Sequence, residues 1–321
     1  MLKIMAPVSS YDSAVQLIAA GAEELYLGSD EGLFRTFSFT GRGKVAPGNI
    51  KVLNDDHQLR AIVKYAHARG IHINFLGNIP YFNDGVFRNK QIENYFWEYI
   101  EKGMDAGVDS VVVGDIGLLK LIGLRNYPIK LHASLYFKTI NEQQVDFLKK
   151  YGVARVSLSY HVTREEITSL CKQNEMDIEV VGYLGCSFFN GSCSFIHDMG
   201  EGVLTEFYPG AACKGVYRTV MDDAVEYVKL FDAETCCAIC QLGELDALGV
   251  KALKIVGRER KPESNCEIVA IYKKYLDYHR RGLDMSETKE ELPNWWKEYY
   301  CKKKKCKYSK SNADFCYVIG G

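Results

Sequence analysis

Eight short β-rich segments alternate with stretches of helical character between residue 3 and about residue 282. The segments are dense in Val, Ile, Leu, Phe and Tyr, which is typical of strands covered on both faces. The stretches between them show helical spacing, as over Asp55–Gly70, where apolar residues recur at intervals of three and four. The strands that we predict are Lys3–Val8, Glu24–Gly28, His72–Gly77, Ser110–Gly114, Lys130–Leu135, Arg155–Ser159, Asp177–Gly182 and Ala252–Gly257.

Eight strand–helix units are the number in a closed (β/α)8 barrel. The alternative is an open doubly wound sheet, which usually carries a glycine-rich phosphate-binding turn after its first strand. The residues after the first strand here are Pro7-Val-Ser-Ser10, which do not form such a turn. We therefore predict an α/β protein with a TIM-like barrel. Thr163 with Glu166, and Asn141 with Gln144, predict the N-terminal caps of two of its helices.

Two regions depart from this alternation. About sixty residues separate the seventh strand from the helix that begins near Leu242, although βα loops are usually short. This insertion, residues 183–241, contains six of the eleven cysteines. We assign residues 1–285 to the barrel with its insertion, and residues 286–321 to a basic, cysteine-containing appendage packed on it.

The composition predicts a globular cytoplasmic protein. Apolar residues make up 47% and charged residues 25% of the chain, and the net charge of −1 supplies no overall field for nucleic acid or a membrane surface. We find no signal-peptide pattern and no run of 18 apolar residues, so we expect no membrane association. Cysteines in a reduced compartment more often bind metal or perform redox chemistry than form disulfides.

The cysteines of the insertion predict a metal site at the carboxyl end of the barrel. Cys186 follows the seventh strand and Cys240 precedes the next helix, and the loop between them can return Cys193 and Cys213 to the same place. Structural zinc favours paired ligands at C-x2-4-C spacing. In the insertion, only the segment from Cys236 or Cys237 to Cys240 has this spacing. The wider spread of the others suits an iron–sulfur cluster. Spacing alone leaves zinc and iron–sulfur open.

Further candidates lie where strands end, because barrel enzymes place their chemistry at that face. We consider His132 and Asp115 as catalytic residues, with Ser134 near His132. The alternatives are a hydrogen-bonded core histidine and a helix N-cap. The candidates for substrate binding are Asn78, Arg258, Arg35 and Arg42, the two last of which are equally plausible as solvated loop charges.

The appendage offers a second set of cysteines, Cys301-x4-Cys306-x9-Cys316. They form a second metal site if Cys266, Cys236 or Cys237 joins them, and otherwise they are reduced thiols without a ligand. The adjacent run Lys302-Lys-Lys-Lys305 could contact RNA phosphates, although such runs are more often a solvated face.

Several of these motifs together resemble the U32 collagenase-like peptidase family. The resemblance covers most of residues 1–282, and its most specific part is the cysteine segment with the closing Lys-Ile-Val-Gly-Arg strand. The residues that carry it are Lys3-Ile-Met-Ala-Pro-Val8, Glu24-Leu-Tyr-Leu-Gly28, the segment from Cys186 to Cys193, Cys213 with Arg218, and Cys240 through Leu245-Asp-Ala-Leu-Gly-Val-Lys-Ala-Leu-Lys-Ile-Val-Gly-Arg258.

The resemblance implies a barrel with a 4Fe–4S cluster, whose ligands carry over to Cys186, Cys193, Cys213 and Cys240. It also implies either peptide hydrolysis or oxygen-independent hydroxylation of an RNA base or an aromatic small molecule, with prephenate as oxygen donor. The chain contains no His-Glu-x-x-His and no Gly-x-Ser-x-Gly motif, which favours a redox modification of RNA, an aromatic ring or a peptide. A U32-type peptidase and a non-catalytic subunit are the alternatives. We expect an electron donor and either a heterodimer or a homodimer partner.

Two segments differ from the usual pattern of the family. Tyr183-Leu-Gly185 stands where a His-Gly pair usually precedes the first cysteine, and Ser157-Leu-Ser-Tyr160 stands in place of Ala-Arg-Glu. Both positions are expected to face the substrate, so we include Tyr183 among the substrate-binding residues and expect a substrate different from that of better-known members.

Overall fold

A closed barrel of eight parallel strands forms the centre of the molecule. The computed structural model describes residues 1–29, 56–78, 89–173, 176–183, 216–221, 224–228, 236–257, 260–283, 288–303 and 305–308. The barrel strands are β1 (Lys3–Pro7), β2 (Glu24–Leu27), β3 (His72–Gly77), β4 (Ser110–Val113), β5 (Lys130–Ala133), β6 (Val153–Ser157), β7 (Asp177–Tyr183) and β10 (Ala252–Ile255). Their order around the closed barrel is β1-β10-β7-β6-β5-β4-β3-β2, and the predicted (β/α)8 barrel is confirmed. The sixth strand begins and ends two residues earlier than predicted.

Helices surround the barrel and follow its strands. They are α1 (Tyr11–Ala19), α2 (Asp56–His67), α3 (Lys90–Asp105), α4 (Ile116–Arg125), α5 (Glu142–Lys149), α6 (Arg164–Gln173), α7 (Leu242–Ala247) and α8 (Pro262–Arg280). The predicted caps are present, since the Asn141 side chain accepts a hydrogen bond from the Gln144 amide at 3.0 Å. Thr163 and Glu166 likewise bond to each other's backbone amides. No helix of the described residues is long and apolar enough to cross a membrane.

The strands alternate between two faces with different chemistry. The outward positions are apolar and fully buried against the helices, as with Leu25, Phe75 and Val156. On α2 the residues that complete this layer are Leu59, Ile62, Val63 and Ala66, as their spacing predicts. The main hydrophobic core therefore lies between the barrel wall and the helices.

Two further parts of the described chain lie outside the strand–helix alternation. Within the insertion, β8 (Tyr217–Met221) and β9 (Ala224–Val228) pair as an antiparallel hairpin. In the appendage, α9 (Asn294–Trp296) runs into a π-helical turn over Lys297–Cys301. Trp296 is completely buried, so this segment packs on the barrel through a large aromatic side chain.

Candidate functional site

An ion pair crosses the inside of the barrel. Arg155 on β6 donates to both carboxylate oxygens of Glu24 on β2, at 2.5 and 3.1 Å. These two strands are four apart in either direction around the barrel, so the pair spans its diameter. Burial alone lowers the pKa of Arg155, but the hydrogen-bonded Glu24 outweighs it and the pKa is raised. The guanidinium therefore stays charged within the barrel.

A second ion pair lies next to this one. Lys254 on β10 approaches Glu179 on β7 at 3.4 Å, and Ser157 donates to the same carboxylate at 2.6 Å. The ammonium group of Lys254 also lies 4.6 Å from the centre of the Tyr26 ring. Each buried carboxylate thus faces a cation, as buried charges require.

His132 belongs to this polar interior and not to an open cleft. The Ser110 hydroxyl donates to the Asn74 side-chain oxygen at 2.8 Å, so its one proton is used. Its oxygen then accepts from Nδ1 of His132, 3.4 Å away, which assigns the proton of the neutral ring to Nδ1. The Asn74 amide continues the chain to Glu24 at 3.3 Å.

The protonation state of His132 follows from its surroundings. Burial, and next the charge of Arg155, hold the pKa of this imidazole well below its usual range. A neutral, hydrogen-bonded histidine inside the barrel matches the core role that we considered for His132. Its catalytic role stays a prediction.

On β2, β3 and β4 an apolar layer lies between the polar residues of the barrel interior and the carboxyl ends of the strands. Glu24, Asn74 and Ser110 face inward, and two residues further along the same strands come Tyr26, Leu76 and Val112. With Met5 these three form one buried cluster inside the barrel. Because side chains alternate along a strand, this layer lies on the carboxyl side of the network. Glu24 is therefore placed away from the end where barrel enzymes hold substrates, whereas Lys254 lies level with Met5 and Val181, one layer nearer to that end.

At the carboxyl end of β4, Asp115 caps α4. Its Oδ1 accepts from the amides of Gly117 and Leu118 at 2.7 and 3.1 Å. This confirms the N-cap that we considered, while a catalytic role stays a prediction. Ser134 similarly caps a short helical turn, accepting from the Tyr136 amide at 3.3 Å.

Asn78, which follows β3, has a different environment. Its side chain is half-buried, and among the described residues its Oδ1 has no hydrogen-bond partner. The oxygen atom itself is buried, so a substrate donor would reach it only after a neighbouring group moved. Its proposed role in substrate binding is compatible with this position and stays a prediction.

Tyr183 ends β7 and lies under the appendage. The Tyr300 hydroxyl donates to the Tyr183 hydroxyl at 2.8 Å, and the Trp296 ring centre is 5.6 Å from the Tyr183 ring centre. The guanidinium carbon of Arg260 lies 4.7 Å above the same ring. Tyr183 is consequently 4% exposed and serves here as a packing residue. Its role as a substrate-binding residue stays a prediction.

The appendage also reaches the mouth of the barrel. The Tyr308 hydroxyl donates to the carbonyl oxygen of Val181 on β7 at 2.9 Å. The neighbouring Lys307 is buried, and its ammonium group lies 4.7 Å from the centre of the Tyr160 ring. Tyr160 and Val181 pack together with Val256 and Leu135 at this end of the barrel. The segment 305–308 thus covers the ends of β6 and β7.

Of the four predicted cluster ligands, the structure describes Cys240 alone. Cys240 is exposed, in a 3-10 turn directly before α7. Cys186, Cys193 and Cys213 lie outside the described residues, as do Arg35, Arg42, Arg258 and Cys316. In the part of the chain that the structure describes, no group of three or more Cys, His, Asp or Glu side chains has the arrangement of a metal site.

The two ends of the insertion meet near this point. Tyr183, three residues before Cys186, forms an antiparallel bridge with Cys237. The cysteines at positions 236–240 therefore lie beside the strand end from which the insertion leaves. This arrangement fits a site built from both ends of the insertion, with thiolates as the donor set.

Comparison with known families decides the assignment. The sequence model of peptidase family U32 matches residues 9–313. The chain belongs to peptidase family U32. Among solved structures, the U32 peptidase Mk0906 superimposes with a TM-score of 0.50 and 12% identity, over 81% of this chain and 95% of the other. At that identity the likeness shows the shared fold.

Two curated relatives of this U32 chain have names that refer to RNA. It is 25% identical over 282 residues to the 23S rRNA 5-hydroxycytidine C2501 synthase of Escherichia coli K12, covering 86% of this chain and 39% of the relative. It is 24% identical over 240 residues to the tRNA hydroxylation protein P2 of Bacillus subtilis 168, covering 71% of this chain and 75% of the relative. The chain thus spans well under half of the first relative and three quarters of the second.

The sequence analysis missed the charged network of this U32 barrel. Glu24 and Arg155 lie within predicted strands, and the pattern that could have revealed them is a charge at an inward position between apolar neighbours, as in Val-Ala-Arg-Val-Ser. The pattern could not identify the ion-pair partner of each charge, because the partner depends on which strands face each other across the closed barrel.

Proposed function

We propose that this chain takes part in the oxygen-independent hydroxylation of an RNA base and holds a 4Fe–4S cluster for that purpose. The observation that carries the proposal is the pair of relatives named for rRNA and tRNA hydroxylation, which align with 86% and 71% of this chain. Membership of family U32 agrees with it, as does the lack of the two hydrolase motifs in the sequence.

Thiolates of the insertion supply the ligands in this proposal. Three are Cys186, Cys193 and Cys213, and the fourth comes from the segment of positions 236–240, where spacing and resemblance favour Cys240 and the bridge to Tyr183 favours Cys237. When bound, such a cluster supplies one-electron chemistry at the mouth of the barrel. The charged side chains inside the barrel do not need the cluster as a partner, because they are already paired with one another.

The protein residues near the mouth have binding and orienting roles. The amide oxygen of Asn78 is buried and has no hydrogen-bond partner among the described residues, so a base that gains access to it would find an acceptor for an amino group or a ring N–H. On the appendage the half-exposed Tyr299 ring lies under two ammonium groups, those of Lys303 at 5.1 Å and Lys305 at 4.3 Å. An aromatic face flanked by lysines is a common element of single-stranded RNA surfaces.

The test is a comparison of nucleosides from cells with and without the gene. We expect the deletion strain to lack a nucleoside that carries one additional oxygen, as measured by mass spectrometry of digested rRNA and tRNA. Complementation restores it with the wild type and with Cys171→Ala, which changes a half-buried thiol on α6 that is not among the proposed ligands. Cys193→Ala and Cys213→Ala fail to restore it.

Two results would contradict this proposal. One is an unchanged set of nucleosides in the deletion strain. The other is full complementation by Cys193→Ala. Release of peptides from a denatured protein by the purified chain, without reductant or prephenate, would favour the peptidase alternative.

The proposed cluster has a test of its own. Anaerobically purified protein is expected to contain about four irons and four sulfides per chain.

A further inference from the structure

The appendage is the positively charged part of the chain. Residues 286–321 hold eight lysines and five acidic residues, whereas the whole chain has 40 basic and 41 acidic residues. Positive charge is therefore concentrated on one short segment of a chain with almost no net charge. Such a segment attracts a polyanion locally even though the protein as a whole has no such field.

The carboxylates of this segment are already paired with lysines. Each of the three that the structure describes has an ammonium group within 3.0 Å, in the pairs Glu290–Lys297, Glu291–Lys274 and Glu298–Lys302. Lys303, in contrast, has no carboxylate within ion-pair distance among the described residues. Its charge is thus not offset by an acidic contact.

Two large aromatic side chains of the same helical segment face solvent. Trp295 is 44% exposed and Tyr299 is 41% exposed. They are four residues apart, a spacing that puts side chains on one side of a helix. Their neighbours Trp296 and Tyr300 are buried, with ring centres 4.8 Å apart. The segment therefore packs on the barrel through one pair of rings and presents the other pair outward.

Contacts with the buried rings hold the exposed rings in place. The ring centre of Trp295 lies 5.2 Å from that of Trp296, and the ring centre of Tyr299 lies 4.9 Å from that of Tyr300. The indole Nε1 of Trp295 also donates to Oε1 of Glu267 on α8 at 3.1 Å. A ring that is fixed before binding loses little conformational entropy when a ligand stacks on it.

Two ammonium groups lie against the Tyr299 ring. The distances to its centre are 5.1 Å for Lys303 and 4.3 Å for Lys305. Contacts of this kind are weak at exposed sites, so either ammonium group can leave the ring for a phosphate while a base stacks there. Proteins that bind single-stranded nucleic acid combine these two elements, aromatic faces for the bases and cations for the backbone.

We propose that Trp295, Tyr299, Lys303 and Lys305 form the docking surface for a single-stranded segment of the substrate RNA. The inference rests on the proposed function in taking RNA as the substrate. Lys305 begins the segment 305–308, which covers the ends of β6 and β7. A strand held on Tyr299 is therefore beside the mouth of the barrel. Stacking and phosphate contacts tolerate many sequences, so this surface supplies affinity and orientation and leaves the choice of base to the mouth.

The first experiment measures RNA binding by the full chain. A fluorescein-labelled single strand of about 12 nucleotides is titrated with anaerobically purified protein and followed by fluorescence anisotropy. Tyr299→Ala should weaken binding about tenfold, because it removes one stacking surface, whereas Tyr299→Phe keeps the ring and should bind within about twofold of the wild type. The matched control is Phe147→Ala, which removes a 42% exposed ring from α5 and should bind like the wild type. Equal affinity of Tyr299→Ala and the wild type would overturn the proposal.

The lysines are tested through the salt dependence of binding. The double variant Lys303→Gln with Lys305→Gln should reduce the slope of log K against log salt by about 1.4, the value for two phosphate contacts on a single strand. Lys149→Gln with Lys150→Gln removes two exposed charges at the end of α5 and should leave the slope unchanged. A slope that is the same in the Lys303 and Lys305 double variant as in the wild type would contradict a role of these lysines.

Complementation in cells separates this inference from the proposed function. The triple variant Tyr299→Ala, Lys303→Gln and Lys305→Gln should hold as much iron and sulfide as the wild type and restore less of the hydroxylated nucleoside. If deletion leaves the nucleosides unchanged while the purified chain binds RNA through these residues, the proposed function fails and the docking surface stands. If the triple variant binds RNA like the wild type and restores the nucleoside fully, the docking surface is wrong and the proposed function stands.

Two further ligands test whether the bases take part. A duplex of the same sequence should bind more weakly than the single strand, because its bases are not free to stack on the rings. Duplex binding as tight as that of the single strand would overturn the stacking role. Vesicles of phosphatidylcholine with phosphatidylserine present anionic groups without bases. If the wild type binds these vesicles through Tyr299 and Lys303 and does not bind the RNA, the surface faces lipid and the inference is wrong.

Discussion

The two ends of the barrel hold buried polar groups in different ways. Inside the barrel, Glu24 and Arg155 pair across its diameter and Glu179 pairs with Lys254. At the carboxyl end, Tyr183, Trp296 and Tyr300 pack as aromatic rings joined by one hydroxyl-to-hydroxyl hydrogen bond. The first region joins strands through buried charges, each of which requires the opposite charge of its partner. The second attaches a separate segment, and the bridged residues Cys237 and Cys306 lie beside it.

The difference suggests a division of roles between the two ends. A charge network enclosed beneath an apolar layer has its partners already in place, so a variant there should change the stability of the entire barrel. The aromatic attachment joins elements distant in sequence, so a variant there should release the appendage and leave the barrel folded. The following predictions test whether the two regions can be separated in this way.

The largest effect is expected for Arg155→Met. It removes the cation and leaves Glu24 buried without its main partner, which should lower the free energy of unfolding by about 3–5 kcal/mol. Urea denaturation followed by circular dichroism measures this. The double variant Glu24→Gln with Arg155→Met should recover at least about 1 kcal/mol of the loss, since it no longer buries an unpaired charge. A double variant as unstable as the sum of the two singles would show that the pair has no coupling.

Trp296→Ala is the matching change at the other end. The indole is fully buried against Tyr183, Tyr272 and Tyr300, and its removal should destabilise the packed appendage by about 3 kcal/mol. We expect faster hydrogen exchange for the amide of Tyr300, with a far smaller change in the unfolding midpoint of the barrel. Cooperative loss of the entire fold would show that the two regions are one unit.

The sequence predicted the barrel because its outward positions repeat regularly. Val111 and Val113 on β4, with Leu118 on α4, follow the periods of strand and helix, and local pattern is enough to identify them. The helix cap at Asp115 could also be predicted from the sequence, since it depends on residues two and three positions away. Predictions of this kind use short-range information only.

The candidate site was less accessible to the sequence for the opposite reason. That Arg155 faces Glu24 depends on 131 intervening residues and on closure of the barrel. Tyr183 was expected at a substrate surface, but the appendage covers it with Trp296, a contact between residues over a hundred positions apart. The bridge between Cys237 and Cys306 likewise follows from tertiary pairing and from no local motif.

A smaller effect is expected from acid on the charged region. The folded protein holds the pKa of His132 well below 6.5, whereas the unfolded chain titrates near 6.5. Below that pH the unfolded state takes up a proton that the folded state refuses, so stability is present above about pH 6.5 and falls by up to about 1.4 kcal/mol per pH unit as the pH decreases. His132→Gln should remove this part of the slope, measured by urea denaturation between pH 5 and 7 on the protein and variant. The exposed His57, on α2, provides the control variant His57→Gln for the removal of a histidine outside the barrel interior. Equal slopes for wild type and His132→Gln would show that the imidazole is not held neutral.

The smallest effect separates stability from chemistry at the carboxyl end. Asp115 accepts from two amides at the start of α4, so Asp115→Ala should lower the free energy of unfolding by about 1 kcal/mol. Asparagine caps helices about as well, so Asp115→Asn should be close to the wild type in urea denaturation. The same pair of variants tests the predicted catalytic role, because the amide keeps the cap and removes the negative charge. If Asp115→Asn is stable and still restores the hydroxylated nucleoside in cells, Asp115 acts as a cap alone. If it is stable and fails to restore the nucleoside, its carboxylate has a function at the mouth of the barrel, and the division between a stabilising end and a functional end becomes sharper.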